Sequence, residues 1–230
     1  MQPIVTRIPS GSAVLDSLLN GGYEQDTITT IYGPAGSGKT NLCMLALIQI
    51  AREGKKIIYV DTDGGFSVER LQQIAEDYVT VLEQVVFLRP MTFEEQKQVF
   101  YKLKGLVTEN IGLIVVDTIS MLYRLGFGKD EDIAQLNREM SLQISYLAEI
   151  ARKKNIPVLL TNQVYADFEV PEKVNMVGGD ILKNQSKCLI ELQKYHSGIR
   201  RAILRRHRSL PEGKEAQFQI VDTGIQEVRK

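Results

Sequence analysis

Eight consecutive residues, 33–40, combine three glycines with a lysine and a threonine at a spacing that suits the binding of phosphate groups. They fill the pattern GxxxxGK[ST] and stand between a β-branched run, 27–32, and a run with helical spacing. In this order the loop N–H groups point inward, and the helix N-terminus adds positive charge beside an anion. The segment therefore predicts a nucleoside triphosphate site. Its predicted binding residues are Gly33, Pro34, Ala35, Gly36, Ser37, Gly38, Lys39, Thr40 and Asn41.

Further polar side chains follow apolar runs elsewhere in the chain. Asp117 ends the run 113–116 and suits a carboxylate that supports Mg²⁺ beside the predicted metal ligand Thr40. Asp63 follows another apolar run and has the chemistry to orient or deprotonate water, although Asp-Gly-Gly is also common in turns. Gln163 suits either a γ-phosphate sensor or an amide that satisfies backbone groups.

Apolar strand-like runs alternate with helical patterns through the first two thirds of the chain. This alternation predicts an α/β fold in which a mainly parallel sheet is flanked by helices. The carboxyl ends of parallel strands meet at one edge, so Asp63, Asp117 and Gln163 are expected to lie together there. The predicted parallel strands are residues 27–32, 57–60, 85–88, 113–117 and 156–163. The short runs 188–192, 201–204, 216–221 and 225–228 are separated by turn residues and predict C-terminal antiparallel strands.

Charge, hydropathy and length limit the kinds of protein that this chain can be. The 230 residues contain 28 basic and 28 acidic side chains, so the net charge of the whole chain does not indicate a polyanionic partner. No apolar run is long enough to span a membrane, and the N-terminus lacks a signal-peptide pattern, so we expect a cytoplasmic protein without a membrane partner. The length suits one domain over residues 1–230. Cys43 and Cys188 have no metal-ligand spacing, and we expect them to be buried thiols.

Six segments, in order along nearly the whole chain, resemble the ATPase core of RecA-type recombinases of the archaeal and eukaryotic branch. These segments are residues 33–40, 59–71, 115–118, 122–124, 161–164 and 178–181. The resemblance implies a RecA-like P-loop NTPase core that binds ATP, Mg²⁺ and single-stranded or branched DNA in homologous recombination and repair. The chain is most similar to short accessory paralogues, which implies weak ATPase activity and no strand exchange of its own.

The resemblance also implies roles for individual residues. Lys39 and Thr40 bind phosphate and Mg²⁺, Asp117 supports the metal, and Gln163 senses the γ-phosphate. Arg70 stacks on adenine, for which a planar guanidinium is suited. The family usually has Glu at the position of Asp63, whose side chain is one methylene shorter. A base displaced by about 1 Å can lose roughly a hundredfold in rate, so the sequence predicts slow hydrolysis.

DNA contacts are expected first in two loops that carry DNA in this family. The first, about residues 118–132, contains Tyr123, Arg124, Phe127 and Lys129, a mixture that suits stacking and phosphate contact. The second, about 164–179, is a poor surface for a polyanion. Its charged residues include Asp167, Glu169, Glu172 and Lys173.

A basic cluster between residues 194 and 214 admits three interpretations. The cluster contains Lys194, Arg200, Arg201, Arg205, Arg206, Arg208 and Lys214. The first interpretation is structural. Side chains alternate along the strand so that no face is uniformly basic, and the ends of the strand are basic while its middle is apolar, as expected for arginines that extend to solvent from the ends of a buried strand. The cluster also suits a DNA backbone patch, formed by Arg200, Arg201, Arg205, Arg206 and Arg208. Third, by the resemblance, its C-terminal part covers the nucleotide of an adjacent subunit.

Two family features are missing near the start of the sequence. We expect no separate N-terminal helical DNA-binding domain and no Phe-x-x-Ala anchor before Ile8, hence monomers or small oligomers. Two alternative functions stay open. One is a RecA-like DNA-dependent motor or helicase, and the other is a nucleotide-gated regulatory subunit for a RadA-type recombinase or a Holliday-junction nuclease.

Overall fold

A computed structural model of the chain describes residues 6–126, 133–166 and 174–228. Its strands are β1 (Arg7–Ile8), β2 (Tyr23–Glu24), β3 (Ile28–Tyr32), β4 (Lys56–Asp61), β5 (Val85–Leu88), β6 (Ile111–Asp117), β7 (Val158–Asn162), β8 (Val164–Ala166), β9 (Val174–Met176), β10 (Cys188–Lys194), β11 (Ile199–Arg206), β12 (Glu215–Val221) and β13 (Gly224–Glu227). Its helices are α1 (Ala13–Leu19), α2 (Lys39–Arg52), α3 (Val68–Ile74), α4 (Tyr78–Glu83), α5 (Phe93–Leu106), α6 (Met121–Gly126), α7 (Ile133–Lys154) and α8 (Gly179–Gln185).

The main sheet of the described residues has nine strands in the order β13-β12-β11-β10-β3-β7-β6-β4-β5. The six strands from β10 to β5 are parallel, and β11, β12 and β13 extend the sheet in antiparallel order. This confirms the predicted α/β fold with C-terminal antiparallel strands. The expectation was wrong for β10, which runs parallel to β3. The short helix α8 lies between β9 and β10 and returns the chain so that β10 enters the sheet beside β3 in the same direction.

Apolar residues cover both faces of the parallel strands, as expected for continuous apolar runs. Every residue of β3 and β6 is buried. Helices α1 to α4 pack on one face, in a core that includes Leu15, Leu47 and Leu71. Helices α5, α7 and α8 pack on the other face with α6, around Phe100 and Leu147. The C-terminal edge of the sheet is thus left for the loops that carry the polar residues.

Two helices begin at a capping side chain. The Ser67 hydroxyl accepts a hydrogen bond from the Arg70 N–H at 3.0 Å, and the Thr92 hydroxyl accepts one from the Glu95 N–H at 3.1 Å. Such bonds satisfy N–H groups that have no partner inside the helix. They fix where α3 and α5 begin.

The two predicted loops contain regular structure. Helix α6 lies within the first of them, and strands β8 and β9 pair as a hairpin within the second. Elements of three to six residues are too short to show a periodic pattern, which is why the sequence did not indicate them. Several residues named above lie outside the described residues. They are Phe127, Lys129, Asp167, Glu169, Glu172 and Lys173.

Cys43 and Cys188 are buried thiols, as expected. Among the described residues, no helix is both long and apolar enough to cross a bilayer.

Candidate nucleotide-binding site

The glycine-rich segment forms a loop between the end of β3 and the start of α2. It opens onto a cleft of about 400 Å³ at the C-terminal edge of the sheet. Four side chains predicted from separate parts of the sequence line this cleft together, namely Lys39, Asp63, Asp117 and Gln163. The strand order explains why these side chains lie together, because β7, β6 and β4 are adjacent to one another beside β3 and all end at this edge of the sheet.

The loop backbone has little room for larger side chains. Gly38, which precedes the first turn of α2, has φ +104°, a conformation that residues with a Cβ rarely adopt. A Cβ on Gly33 would lie 2.4 Å from the Leu192 carbonyl oxygen on β10. The Ser37 hydroxyl is buried and has no hydrogen-bond partner among the described residues. A compact loop with an unpaired buried donor fits the binding of phosphate oxygens.

The Lys39 side chain folds back into the loop. Its ammonium donates to the carbonyl oxygens of Gly33 at 2.9 Å and Pro34 at 3.0 Å. Burial lowers the pKa of Lys39, while the charges of Asp117 and Asp63 act in the opposite direction. A partly desolvated cation at this position strongly favours an anionic ligand.

Asp117 is the polar centre of the site and is 1% exposed. One carboxylate oxygen accepts hydrogen bonds from the Thr40 hydroxyl at 2.7 Å and the Tyr59 hydroxyl at 2.8 Å. The other accepts a short hydrogen bond from the Thr161 hydroxyl. The contact with Thr40 brings the two predicted Mg²⁺-supporting groups together. Hydroxyl and carboxylate oxygens are the ligands that Mg²⁺ prefers.

Tyr59 and Thr161 were not singled out from the sequence. Both lie inside strands, β4 and β7, where their hydroxyls are the polar exception in an apolar run. Burial and the negative charge of Asp117 raise the pKa of Tyr59, which therefore stays a hydrogen-bond donor. A polar side chain within a buried strand indicates a buried hydrogen-bond partner, but the sequence does not mark which acid that partner is.

Asp63 lies beyond the end of β4, and its carboxylate faces the cleft. The carboxylate accepts a hydrogen bond from the Gly65 N–H at 3.0 Å, as Asp does in turns. Desolvation, followed by the negative charge of Asp117, raises the pKa of Asp63. A raised pKa makes a carboxylate a better proton acceptor, whereas the bond to Gly65 restrains its reach.

Gln163 follows β7 directly, is half-buried and lines the cleft. Its backbone carbonyl accepts from the Val177 N–H at 3.3 Å. The residue thus connects the cleft to the segment that follows β9.

Arg70, a residue of α3, contacts the first turn of α2. Its guanidinium donates to the Asn41 side chain at 2.7 Å and to the Val221 carbonyl at 2.7 Å. Further bonds reach the carbonyl oxygens of Asp222 and Gly224. Arg70 therefore ties the start of α2 to the turn between β12 and β13, and its stacking on adenine stays a prediction.

The residues predicted to contact DNA are placed in different surroundings. Tyr123 is 3% exposed and packs at α6 against Phe93, with its hydroxyl donating to Asn137 at 2.5 Å. Both faces of the ring are therefore close to protein atoms. Arg124 is exposed, and Lys129 lies outside the described residues.

In the basic cluster, the middle of β11 is buried and the arginines are at its ends. Three of them pair with acids: Arg201 with Glu215 at 3.0 Å, Arg205 with Glu191 at 2.7 Å, and Arg208 with Glu24 at 2.5 Å. The Arg206 guanidinium makes a short hydrogen bond to the Lys183 carbonyl. Arg200 instead lines the nucleotide cleft. These contacts suit the interpretation of arginines at the ends of a buried strand, and DNA binding by the cluster stays a prediction.

Comparison with known proteins agrees with this geometry. The sequence model of the Rad51 family matches residues 2–228. A protein of Methanococcoides burtonii named DNA repair and recombination protein RadB is 38% identical, over 98% of this chain and 100% of its own length. A protein of the same name from Methanobrevibacter smithii is 40% identical, over 95% of each chain.

The fold is also found among solved structures. A crystal structure of the RadB recombinase superposes with a TM-score of 0.82 at 39% sequence identity, and the match covers 96% of this chain and 100% of that one. The similarity therefore extends through the phosphate loop, the sheet and the C-terminal strands. The chain belongs to the Rad51 family of RecA-like proteins, within its RadB group.

Proposed function

We propose that this protein binds ATP with Mg²⁺ and acts as an accessory protein of DNA repair and homologous recombination that hydrolyses ATP slowly. One observation carries the nucleotide part. The Thr40 hydroxyl and the Asp117 carboxylate are 2.7 Å apart at the phosphate loop, with the buried ammonium of Lys39 beside them. The repair role follows from the names of the RadB relatives, which match this chain over nearly its whole length.

The residues present fit the metal and the nucleotide. Thr40 would ligate Mg²⁺ directly, and Asp117 would hold it directly or through its water. The ion would neutralise charge on the β- and γ-phosphates. Lys39 would leave its two carbonyl partners for phosphate oxygens, and the loop N–H groups with Ser37 would surround the remaining ones.

Slow hydrolysis rests on Asp63. Its side chain is shorter than the Glu usual in the family and is already bonded to the Gly65 N–H. Both features hold the carboxylate back from a water that attacks the γ-phosphate. We infer that the nucleotide acts mainly through its binding.

The DNA part of the proposal covers single-stranded or branched DNA. The exposed Arg124 and the charged loop residues around it are its candidate contacts. A RadA-type recombinase or a Holliday-junction nuclease is the kind of protein partner that we propose, and Gln163 would pass the nucleotide state to the surface of the second loop through the bond to Val177.

ATP binding, ATP hydrolysis and single-stranded DNA affinity should be measured on one preparation of the full chain. Lys39→Ala should abolish Mg²⁺-dependent ATP binding, because it removes the ammonium that bonds to the Gly33 and Pro34 carbonyl oxygens inside the loop. Lys102→Ala, an exposed residue of α5, is the matched control and should bind normally. Equal ATP binding by the wild type and Lys39→Ala would refute the nucleotide proposal, and DNA affinity at the level of an inert protein would refute the DNA part.

Asp63→Glu tests the explanation for slow turnover. Restoring the longer carboxylate should raise the hydrolysis rate by about tenfold or more, since a misplaced base can cost roughly a hundredfold. Asp77→Glu, which changes an exposed acid far from the cleft, is the control. If turnover by the wild type already equals that of an active recombinase, or if Asp63→Glu leaves it unchanged, the geometry of Asp63 does not limit hydrolysis.

A further inference from the structure

The antiparallel strands β10 and β11 form a hairpin that reaches the phosphate loop. Lys194, the last residue of β10, is the cross-strand partner of Arg200 near the start of β11. The Lys194 ammonium lies 3.4 Å from the Ala35 carbonyl oxygen, and the Arg200 guanidinium lies 3.4 Å from the Gly36 carbonyl oxygen. Two neighbouring cations of one hairpin thus contact two successive residues of the loop.

The position of this hairpin is determined within the chain. Strand β10 pairs with β3 as far as Glu191 opposite Tyr32, directly before the phosphate loop begins. The next residue of β10, Leu192, approaches Gly33 so closely that no Cβ would fit between them. Backbone hydrogen bonds of the sheet therefore hold the hairpin that carries the two cations beside the loop.

Arg200 and Lys194 differ from three arginines of the cluster in their charge partners. Arg201, Arg205 and Arg208 each form an ion pair with an acid, whereas within the described ranges no acid pairs with Arg200 or Lys194. The Nε atom of Arg200 is buried and has no hydrogen-bond partner among the described residues. Its Nη1 atom donates to the Gly198 carbonyl oxygen of the same hairpin at 2.6 Å, whereas the 3.4 Å contact with Gly36 is long for a charged hydrogen bond. The guanidinium is therefore only partly satisfied, and its partners are carbonyl oxygens.

Arg200 also lines the cleft together with Lys39, Asp63 and Gln163. A guanidinium offers paired donors in a planar arrangement that matches phosphate oxygens. An ATP molecule carries about one more negative charge than ADP, and that charge is on the terminal phosphate, at the end where Asp63 and Gln163 are proposed to act. An unpaired cation there would favour the triphosphate.

We propose that Arg200 contacts the terminal phosphate of ATP bound to its own chain, that Lys194 supports it, and that Arg200 thereby makes the site prefer ATP to ADP. This proposal rests on the proposed nucleotide function. It assigns to Arg200 a role different from DNA contact, and it differs from a contact across subunits because the hairpin and the loop belong to one sheet of one chain.

The experiment measures equilibrium binding of fluorescently labelled ATP and ADP, with Mg²⁺, to the wild type, Arg200→Ala, Arg200→Lys, Lys194→Ala and Arg201→Ala. Arg201 is the matched control, because it adjoins Arg200 but pairs with Glu215 away from the cleft. Circular dichroism melts check that each variant is folded. Arg200→Lys retains the charge and serves as a second, more conservative variant.

Arg200→Ala should weaken ATP binding by about tenfold or more and ADP binding by less than about threefold, as expected for loss of a charged hydrogen bond to one phosphate. Arg200→Lys should retain part of the preference for ATP, Lys194→Ala should have a smaller effect, and Arg201→Ala should match the wild type. Unchanged ATP binding by Arg200→Ala, or an equal loss for ATP and ADP, would overturn the assignment.

A mixing experiment tests whether Arg200 acts on its own chain. Lys39→Ala and Arg200→Ala proteins are combined in equal amounts, and ATP binding is measured over a range of total protein concentrations. Binding by the mixture should equal the average of the two components, whereas recovery beyond that average would show action across subunits and overturn the proposal. If the wild type binds neither nucleotide, or Lys39→Ala binds as well as the wild type, the proposed function itself fails, an outcome distinct from a selective failure of Arg200.

Discussion

Two buried tyrosines of this protein are expected to respond in opposite ways to loss of the hydroxyl group. Tyr59 is 0% exposed and donates to the Asp117 carboxylate at 2.8 Å. Tyr23 is 1% exposed, and its hydroxyl has no hydrogen-bond partner among the described residues. Substitution by Phe keeps the ring and its packing in both cases, including the edge contact of Tyr59 with Phe66.

The magnitudes follow from what each hydroxyl contacts. A hydrogen bond to a charged group contributes about 1.5–3 kcal/mol, so Tyr59→Phe should lower the free energy of unfolding by about that amount. For a chain of this size, about 2–4 °C of Tm corresponds to each kcal/mol, which gives a fall of roughly 3–12 °C. Tyr23→Phe removes an unpaired buried polar group and should be neutral or stabilising.

Urea denaturation followed by far-UV circular dichroism measures both effects. The midpoint should shift without a change in the slope m if the native and unfolded states keep their exposed surface. A double-mutant cycle adds specificity, because in an Asp117→Ala background the Tyr59 hydroxyl has lost its acceptor and Tyr59→Phe should cost little. Equal destabilisation by the two Phe substitutions, or a cost of Tyr59→Phe that persists in the Asp117→Ala background, would refute the reasoning.

Two further predictions concern the contact of Arg70 with the β12–β13 turn and the dependence of stability on pH. Arg70→Ala should speed amide hydrogen exchange at residues 221–225, because the guanidinium bonds to Val221 and Gly224 are lost, and Arg52→Ala, which removes an exposed pair with Asp77, should not. Unchanged exchange in Arg70→Ala would contradict the tie between α2 and the β12–β13 turn. Burial lowers the pKa of His207 from its ordinary 6.5, with the charge of Glu24 opposing this, so the unfolded state binds the proton more readily. The stability due to neutral His207 is therefore complete above pH 6.5 and is lost as the pH falls through the lower pKa of the folded state. His207→Gln should flatten that part of a stability curve measured by urea denaturation, and an unaltered slope would count against it.

Much of the fold could be predicted from local patterns. The apolar runs that became β3 to β7 are signals of a few neighbouring residues, and the bounds of each strand lie within two residues of the expected ones. Short elements such as α1, α4 and α8 were missed because six or seven residues show too little periodicity. The expected direction of β10 was also wrong, because the short helix α8 that precedes this strand was missed.

Some residues of the candidate site could be predicted from the sequence, and others could not. Lys39, Thr40, Asp63, Asp117 and Gln163 were identified from their spacing and their places after strands, and all of them line one cleft. Tyr59 and Thr161 were not, because a hydroxyl within a strand has no local mark that says which acid it meets. The buried position of Tyr123 likewise depends on the packing of α6 against α5 and α7.

The sequence by itself determined the phosphate loop, the alternation of strands and helices and the set of acids at strand ends, because these depend on neighbouring residue types and on backbone preferences. Only the tertiary structure decided which cations of the basic cluster are paired. Arg200 and Arg201 are adjacent in sequence, yet one lies in the nucleotide cleft and the other pairs with Glu215. The physical reason is that side chains alternate across a strand, while the partner met on each side is set by β3, β10 and β12, which come from distant parts of the chain.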